Sequence, residues 1–179
     1  MTMLPSGGAV AITNDHDRGR QIFLNPGDFH FAAAPLQLAT LLGSCVTVTL
    51  WHPRRHIGGM CHFLVPSRKT RQDHDPEGYS AVEAFDLFDK AMHTAGSRSH
   101  EYQAKLFGGG NMFPNSAGRI NVGLRNVEMA RHLLTKRGIP LLAEHAGGAG
   151  HRKLVFSLAN GEVRLVFSAL KEKMVIADG

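Results

Sequence analysis

The 179-residue chain reads as a mixed α/β domain of mostly antiparallel strands and two principal helices. Three observations predict this class. Two apolar runs, 44–51 and 57–65, flank a His-Pro-Arg-Arg break, and the first alternates with period two. Two other stretches, 80–96 and 126–140, carry apolar residues at helical spacing and close on Gly or Gly-Pro. An Asn160-Gly161 pair separates two more apolar runs, a strong hairpin signal. Amphipathic helices in such a chain must cover a sheet face.

The elements follow in chain order. Residues 1–19 are small, polar and unpatterned, which predicts a disordered tail before a single domain over 20–179. Gln21 to Leu24 and Phe29 to Ala34 are short strand candidates around Asn25-Pro26-Gly27-Asp28, which is turn chemistry. In the run 44–51, Val46, Val48 and Leu50 share one face, and Cys45, Thr47, Thr49 and Trp51 share the other. Ile57 to Val65 returns as a strand, with Gly58-Gly59 a candidate bulge. Pro66 to Gly78 is polar and reads as a surface loop. Ser80 and Glu83 match a capping box, and Ala81, Phe85, Phe88 and Met92 form the apolar stripe of a helix that Gly96 closes. Tyr102 to Phe107 reads as a strand entering Gly108-Gly109-Gly110. Asn126 is the expected cap of a second helix carrying Val127, Ala130, Leu133 and Leu134.

Composition narrows the function classes. Hydrophobic content of 43% with 20% charged residues is that of a globular domain with a substantial core. No window approaches the roughly 20 apolar residues of a membrane span. The N-terminus lacks a basic start followed by an apolar core, so no secretory signal or membrane insertion is expected, and the cytoplasm is the expected compartment. The net charge is +5, with basic groups at Arg54-Arg55-His56, Arg68 to Arg71 and Arg131 to Arg137. No basic run is interleaved with aromatics, so no nucleic-acid partner is expected. The eleven histidines lack paired metal-ligand spacing, and no metal site is expected.

The chain has two cysteines, and "LLGSCVTV" (41–48) holds one of them. With the hairpin loop centred between Pro53 and Arg54, Cys45 lies directly across from His62, and Val46 from Cys61. Directly opposed side chains lie on one face with Cβ atoms about 4.5–5.5 Å apart. This register delivers a Cys-His pair and places Cys45 and Cys61 on opposite faces, against a disulfide. An imidazole beside the thiol can take its proton, and a thiolate–imidazolium pair is mutually stabilising. Gly43 and Ser44 leave room for backbone N–H groups, including that of Cys45, to form an oxyanion hole. The alternative is that Cys45 and His62 are separate core residues. The Gly108–Gly110 stretch is either a substrate cradle or a tight turn, and it lacks the Lys-Ser/Thr of a phosphate loop. Asn111 beside it is a candidate hydrogen-bond partner for a substrate amide.

"LLGSCVTVTLWHP" (41–53), "IGGMCHFLVP" (57–66), "KLFGGGNMF" (105–113), "NVGLRN" (121–126) and "GGAGHRKLVF" (147–156) resemble, in order and spacing, the chemoreceptor glutamine deamidase family CheD. The resemblance implies hydrolysis of receptor glutamine side-chain amides to glutamate and ammonia, with Cys45 as nucleophile and His62 as general base and acid. It implies an α/β/α-like layered deamidase fold and chemistry without metal or organic cofactor. The same thioester route would also hydrolyse glutamyl methyl esters. The family orients its histidine with a hydroxyl residue shortly before the Gly-Ser-Cys, and here Thr40 is the nearest. Its implied partners are chemoreceptor cytoplasmic domains and a CheC-type phosphatase. A non-enzymatic adaptor using the same surface is the competing function.

Overall fold

The structure, a computed structural model, describes residues 19–116, 118 and 120–171. The tail expectation for residues 1–19 therefore lies outside the described residues except at Gly19. Among the described residues, nine strands form two sheets. In chain order they are β1 (Gln21–Phe23), β2 (Phe29–Ala33), β3 (Gln37–Leu42), β4 (Val46–His52), β5 (Ile57–Cys61), β6 (Gln103–Gly108), β7 (Leu141–Ala146), β8 (Gly150–Ser157) and β9 (Val163–Ala169). Helix α1 (Ala81–Thr94) precedes β6, and α2 (Val122–Lys136) follows it. One sheet has the order β1-β3-β8-β9 and the other β2-β5-β4-β6-β7. Two of the pairings, β1 with β3 and β6 with β7, are parallel, and the rest are antiparallel. The expected class, mixed strands with two main helices, is the class observed.

Both helices pack on the five-stranded sheet. The layers therefore run helix, sheet, sheet, and the second sheet occupies the side where an α/β/α arrangement places more helices. Sequence alternation explains why. Val46, Val48 and Leu50 of β4 point into a core with Phe85, Phe88, Val127 and Leu134 of the helices. The other face of β4 and β5 presents Trp51 and Met60, with Cys45 just before β4, to a second core with Leu38, Leu42, Leu154 and Phe156. A sheet that is apolar on both faces must be covered on both.

The capping box at α1 is as read: Ser80 accepts from the Glu83 N–H, and Glu83 accepts from the Ser80 N–H. Gly96, at φ +62, ends the helix. The second helix differs. Its cap is Asn121, which accepts from the Leu124 N–H at 3.0 Å, and Asn126 lies inside the helix, fully buried. Both asparagines fit a cap by type, and the helix starts at the earlier one. Strands β3 and β7 carry no clear alternation, which is why the periodic reading passes over them.

The β4–β5 register also differs. His52 pairs with Ile57, Leu50 with Gly59 and Thr49 with Met60, and a bridge joins Val46 to Phe63. The loop spans Pro53 to His56, closed by the His56 N–H on the His52 carbonyl, with His56 at φ +50. No bulge interrupts Gly58-Gly59. Those glycines are needed for close approach, since a Cβ on Gly58 would sit 2.0 Å from the Leu50 carbonyl oxygen. The corrected register places Thr47, not Cys45, opposite His62. The slip is two positions in the pairing, so every side chain keeps its face. Cys45 is thus the diagonal neighbour of His62 on the face toward the four-stranded sheet.

Candidate active site

Cys45 sits where the chain leaves one sheet for the other. β3 ends at Leu42 in the four-stranded sheet and β4 begins at Val46 in the five-stranded one, so Gly43-Ser44-Cys45 forms the corner between them. The corner is braced through its carbonyls. The Gly110 N–H donates to the Gly43 carbonyl at 2.9 Å, and the Gly109 N–H to the Cys45 carbonyl at 2.9 Å. Asn126 Nδ2 donates to the Ser44 carbonyl at 3.2 Å and to the Leu64 carbonyl at 2.9 Å. Among the described residues, the N–H groups of Ser44 and Cys45 donate to no backbone carbonyl. The glycine turn is therefore a brace for the cysteine backbone. Gly108 is required there: it stands at φ +108, and a Cβ would lie 2.2 Å from the Cys45 carbonyl oxygen.

His62 is held on three sides. Its N–H donates to the Asp28 carbonyl at 3.1 Å, and its carbonyl accepts from the Gly27 N–H at 2.6 Å. Its Nδ1 lies 2.8 Å from Thr40 Oγ1, reaching across from β3. The Thr40 hydroxyl donates its one proton to the Leu24 carbonyl at 2.7 Å. That assignment leaves the hydroxyl oxygen as acceptor, so Nδ1 carries the proton and Nε2 holds a lone pair. Thr40 and His62 are buried, and Nε2 has no partner among the described residues.

Burial decides the resting charges. Desolvation lowers the His62 pKa to about 4, against smaller raising effects from Leu24 and Asp28. Desolvation also raises the half-buried Cys45 thiol, opposed more weakly by its own N–H. Both shifts favour the neutral forms, thiol and imidazole, near pH 7. Nothing acidic is bonded to Nδ1 to hold an imidazolium, because its partner is a hydroxyl. Cys61 is unlike Cys45: it is fully buried on the helix-facing side, its pKa is pushed up to about 12, and neither cysteine is in a disulfide.

The structure brings Thr40 and His62 into contact and sets Cys45, Gly43 and Ser44 together at one corner, and no hydrogen bond among the described residues joins Cys45 Sγ to His62. Asn111 lies further along the brace. Its N–H donates to the Gly148 carbonyl, and its Oδ1 accepts from the Phe113 N–H. It lines a cavity of about 160 Å³ with Ser44, Met112, Phe113 and Val122. The residue missed by sequence reading is Asn126, whose cap-like identity hides a role inside the helix. No group of three or more His, Cys, Asp or Glu that could hold a metal occurs among the described residues.

A thiol at a half-buried corner, an imidazole of fixed tautomer with a free Nε2, a hydroxyl anchor and a pair of N–H groups that donate to no backbone carbonyl are the equipment of a cysteine-dependent acyl-transfer hydrolase. The model of the family described as CheD chemotactic sensory transduction matches residues 64–166. Relatives extend the likeness over most of the chain. A protein of Dechloromonas aromatica named "Probable chemoreceptor glutamine deamidase CheD 3" is 49% identical, covering 82% of this chain and 87% of its own. "Probable chemoreceptor glutamine deamidase CheD 2" of Albidiferax ferrireducens is 46% identical over 79% of this chain and 84% of its own. A protein with the same printed name from Geobacter sulfurreducens is 35% identical, covering 86% and 94%. The chain belongs to the CheD family. No helix among the described residues is long and apolar enough to cross a membrane.

Proposed function

We propose that this protein is a cytoplasmic deamidase that hydrolyses glutamine side-chain amides of chemoreceptors, with Cys45 as nucleophile, His62 as general base and acid, and Thr40 as the anchor of His62. The observation that carries this reading is the Leu24–Thr40–His62 hydrogen-bond chain, which leaves the His62 Nε2 lone pair on the Cys45 face of the sheet. The names of the relatives supply the substrate class.

The chemistry starts from neutral groups. As Cys45 Sγ attacks the carboxamide carbon, His62 Nε2 takes the thiol proton. The oxygen of the tetrahedral intermediate faces the Ser44 and Cys45 N–H groups, and Gly43 allows the close approach. The imidazolium then gives its proton to the amide nitrogen, the C–N bond breaks, and ammonia leaves. Water attacks the resulting thioester while Nε2 accepts its proton, and that proton returns to sulfur as glutamate departs. Atoms balance as amide plus water to carboxylate plus ammonium. A glutamyl methyl ester enters the same path with methanol as leaving group. Asn111 stands at the cavity edge as a contact for the substrate. A CheC-type phosphatase belongs to this reading as a binding partner.

The test is incubation with the purified cytoplasmic domain of a cognate chemoreceptor, with glutamine-to-glutamate conversion read by peptide mass spectrometry. Conversion by the wild type and none by Cys45→Ala is expected. Equal conversion by both removes Cys45 from the chemistry. No conversion on several receptors, with binding retained, points to the adaptor function.

A further inference from the structure

The ladder between β4 and β5 ends at the Val46–Phe63 bridge, one position short of Cys45 and Leu64. A regular antiparallel pair continues through alternating N–H and C=O groups. Continued regularly, the Ser44 carbonyl would accept from the Val65 N–H and the Leu64 carbonyl would point away from β4; here one side-chain amide, Asn126 Nδ2, serves both carbonyls. Asn126 is fully buried in α2, and asparagine is a poor residue for a helix interior. A primary amide presents two N–H donors in one plane, which suits it to hold two carbonyls at once.

The first turn of α2 is pressed onto the same corner. A Cβ on Gly123 would lie 2.5 Å from the Gly109 carbonyl oxygen, and one on Gly109 would lie 2.4 Å from Val127 Cγ2. Gly109 and Gly110 in turn hold the Cys45 and Gly43 carbonyls. Three consecutive carbonyls, of Gly43, Ser44 and Cys45, are therefore engaged by α2 and the glycine turn it abuts. With the carbonyl ends tied, the orientation of the intervening peptide planes, and so of their N–H groups, is set.

We propose that Asn126 is a positioning residue: by clamping the Ser44 and Leu64 carbonyls it fixes the Ser44–Cys45 peptide plane and aims the Cys45 N–H at the substrate oxygen, beside the Ser44 N–H that Gly110 sets through the Gly43 carbonyl. The inference rests on the deamidase reading for its function, while the clamp itself is testable without it. His62 is oriented separately through Thr40, so Asn126 governs the oxyanion donors and not the imidazole.

The experiment compares the full-length wild type with Asn126→Asp, in which donors become acceptors, and Asn126→Ser, which keeps one short donor and guards against a variant that fails to fold. Amide hydrogen exchange is read at Val46 and Gly109, whose N–H groups donate to the Phe63 and Cys45 carbonyls at the corner, with Leu154 and Leu165 of the β8–β9 pair as internal controls. The clamp predicts exchange faster by about 10-fold or more at Val46 and Gly109, with the controls unchanged. In the receptor assay, kcat falls by about 10- to 100-fold with KM held within about twofold, the pattern of misaimed transition-state donors. The alkylation rate of Cys45 by iodoacetamide, which uses no oxyanion donors, stays within about twofold of wild type. Unchanged exchange at Val46 and Gly109 overturns the clamp. A kcat loss matched by equal losses in alkylation and in control-amide protection overturns the positioning role in favour of general destabilisation. A wild type that converts no glutamine sinks the deamidase reading, and the exchange comparison still decides the clamp.

Discussion

The Thr40 hydroxyl accepts from His62 Nδ1 at 2.8 Å while giving its own proton to the Leu24 carbonyl. One short side chain thus fixes a tautomer across the gap between two sheets. Thr40→Val keeps the shape and removes both bonds. It is expected to lower kcat by about 10²-fold through a freely turning imidazole, and to cost about 1–3 kcal/mol through unpaired buried groups. Thr40→Ser should recover most of both. Deamidation kinetics and urea melts measure this, and a Thr40→Val enzyme as fast as wild type takes Thr40 out of the site.

Neutral resting groups set the pH profile. The rate follows neutral His62, so kcat/KM should stay flat from neutrality down and fall only as pH approaches about 4. The raised Cys45 thiol predicts no thiolate absorbance at 240 nm near pH 7, as an order-of-magnitude matter of a thiol above its usual ~8.5. An acid limb near pH 6.5, or a thiolate band lost in Cys45→Ala, contradicts the assignment.

Stability follows the same group with a definite sign. His62 has a folded pKa below its unfolded value, so the unfolded chain binds more protons between about 6.5 and 4. The stability contribution is full above pH 6.5 and is lost as pH falls toward 4, on the order of 3 kcal/mol. Urea titrations at pH 7 and 4.5 should show a steeper loss for wild type than for His62→Asn. Parallel losses in the two proteins reject His62 as the source.

The two thiols should separate by location. Cys45 is half-buried at a corner, and Cys61 is sealed in the helix-facing core with its pKa near 12. Iodoacetamide should label one thiol in the native protein and both in urea, with Cys45→Ala abolishing the native label. Labelling of Cys61 in native Cys45→Ala would refute the packing.

Gly108 and Gly138 both have positive φ, but only Gly108 is crowded. Gly138→Ala meets nothing within 4 Å and should cost about 1–2 kcal/mol for backbone conformation alone. Gly108→Ala adds a collision with the Cys45 carbonyl and should also depress deamidation. Equal stability and activity for the two variants removes the brace.

Local chemistry was legible wherever a feature depends on near neighbours in the chain. The Ser80–Glu83 box, the Asn160-Gly161 turn and the two faces of β4 each rest on spacings of a few residues. Face assignment alone was enough to put Cys45 and His62 on one side of a sheet and Cys61 on the other. The register was not legible, because the turn closes through His56 in a left-handed conformation that its residue type does not announce. Nor was Asn126, because an asparagine near a helix start looks the same whether it caps the helix or enters it.

By itself the sequence determined the α/β class, the hairpin that joins the cysteine and histidine strands, and which side chains share a face, since periodicity is written residue by residue. Only the tertiary structure decided how the site is held. Thr40 comes from a different sheet than His62, and Asn126 reaches from a helix to the carbonyls of Ser44 and Leu64, 82 and 62 residues away. Burial then shifted both the thiol and the imidazole toward their uncharged forms. These are consequences of long-range packing and desolvation, which exist only once the two sheets and α2 have closed around the corner.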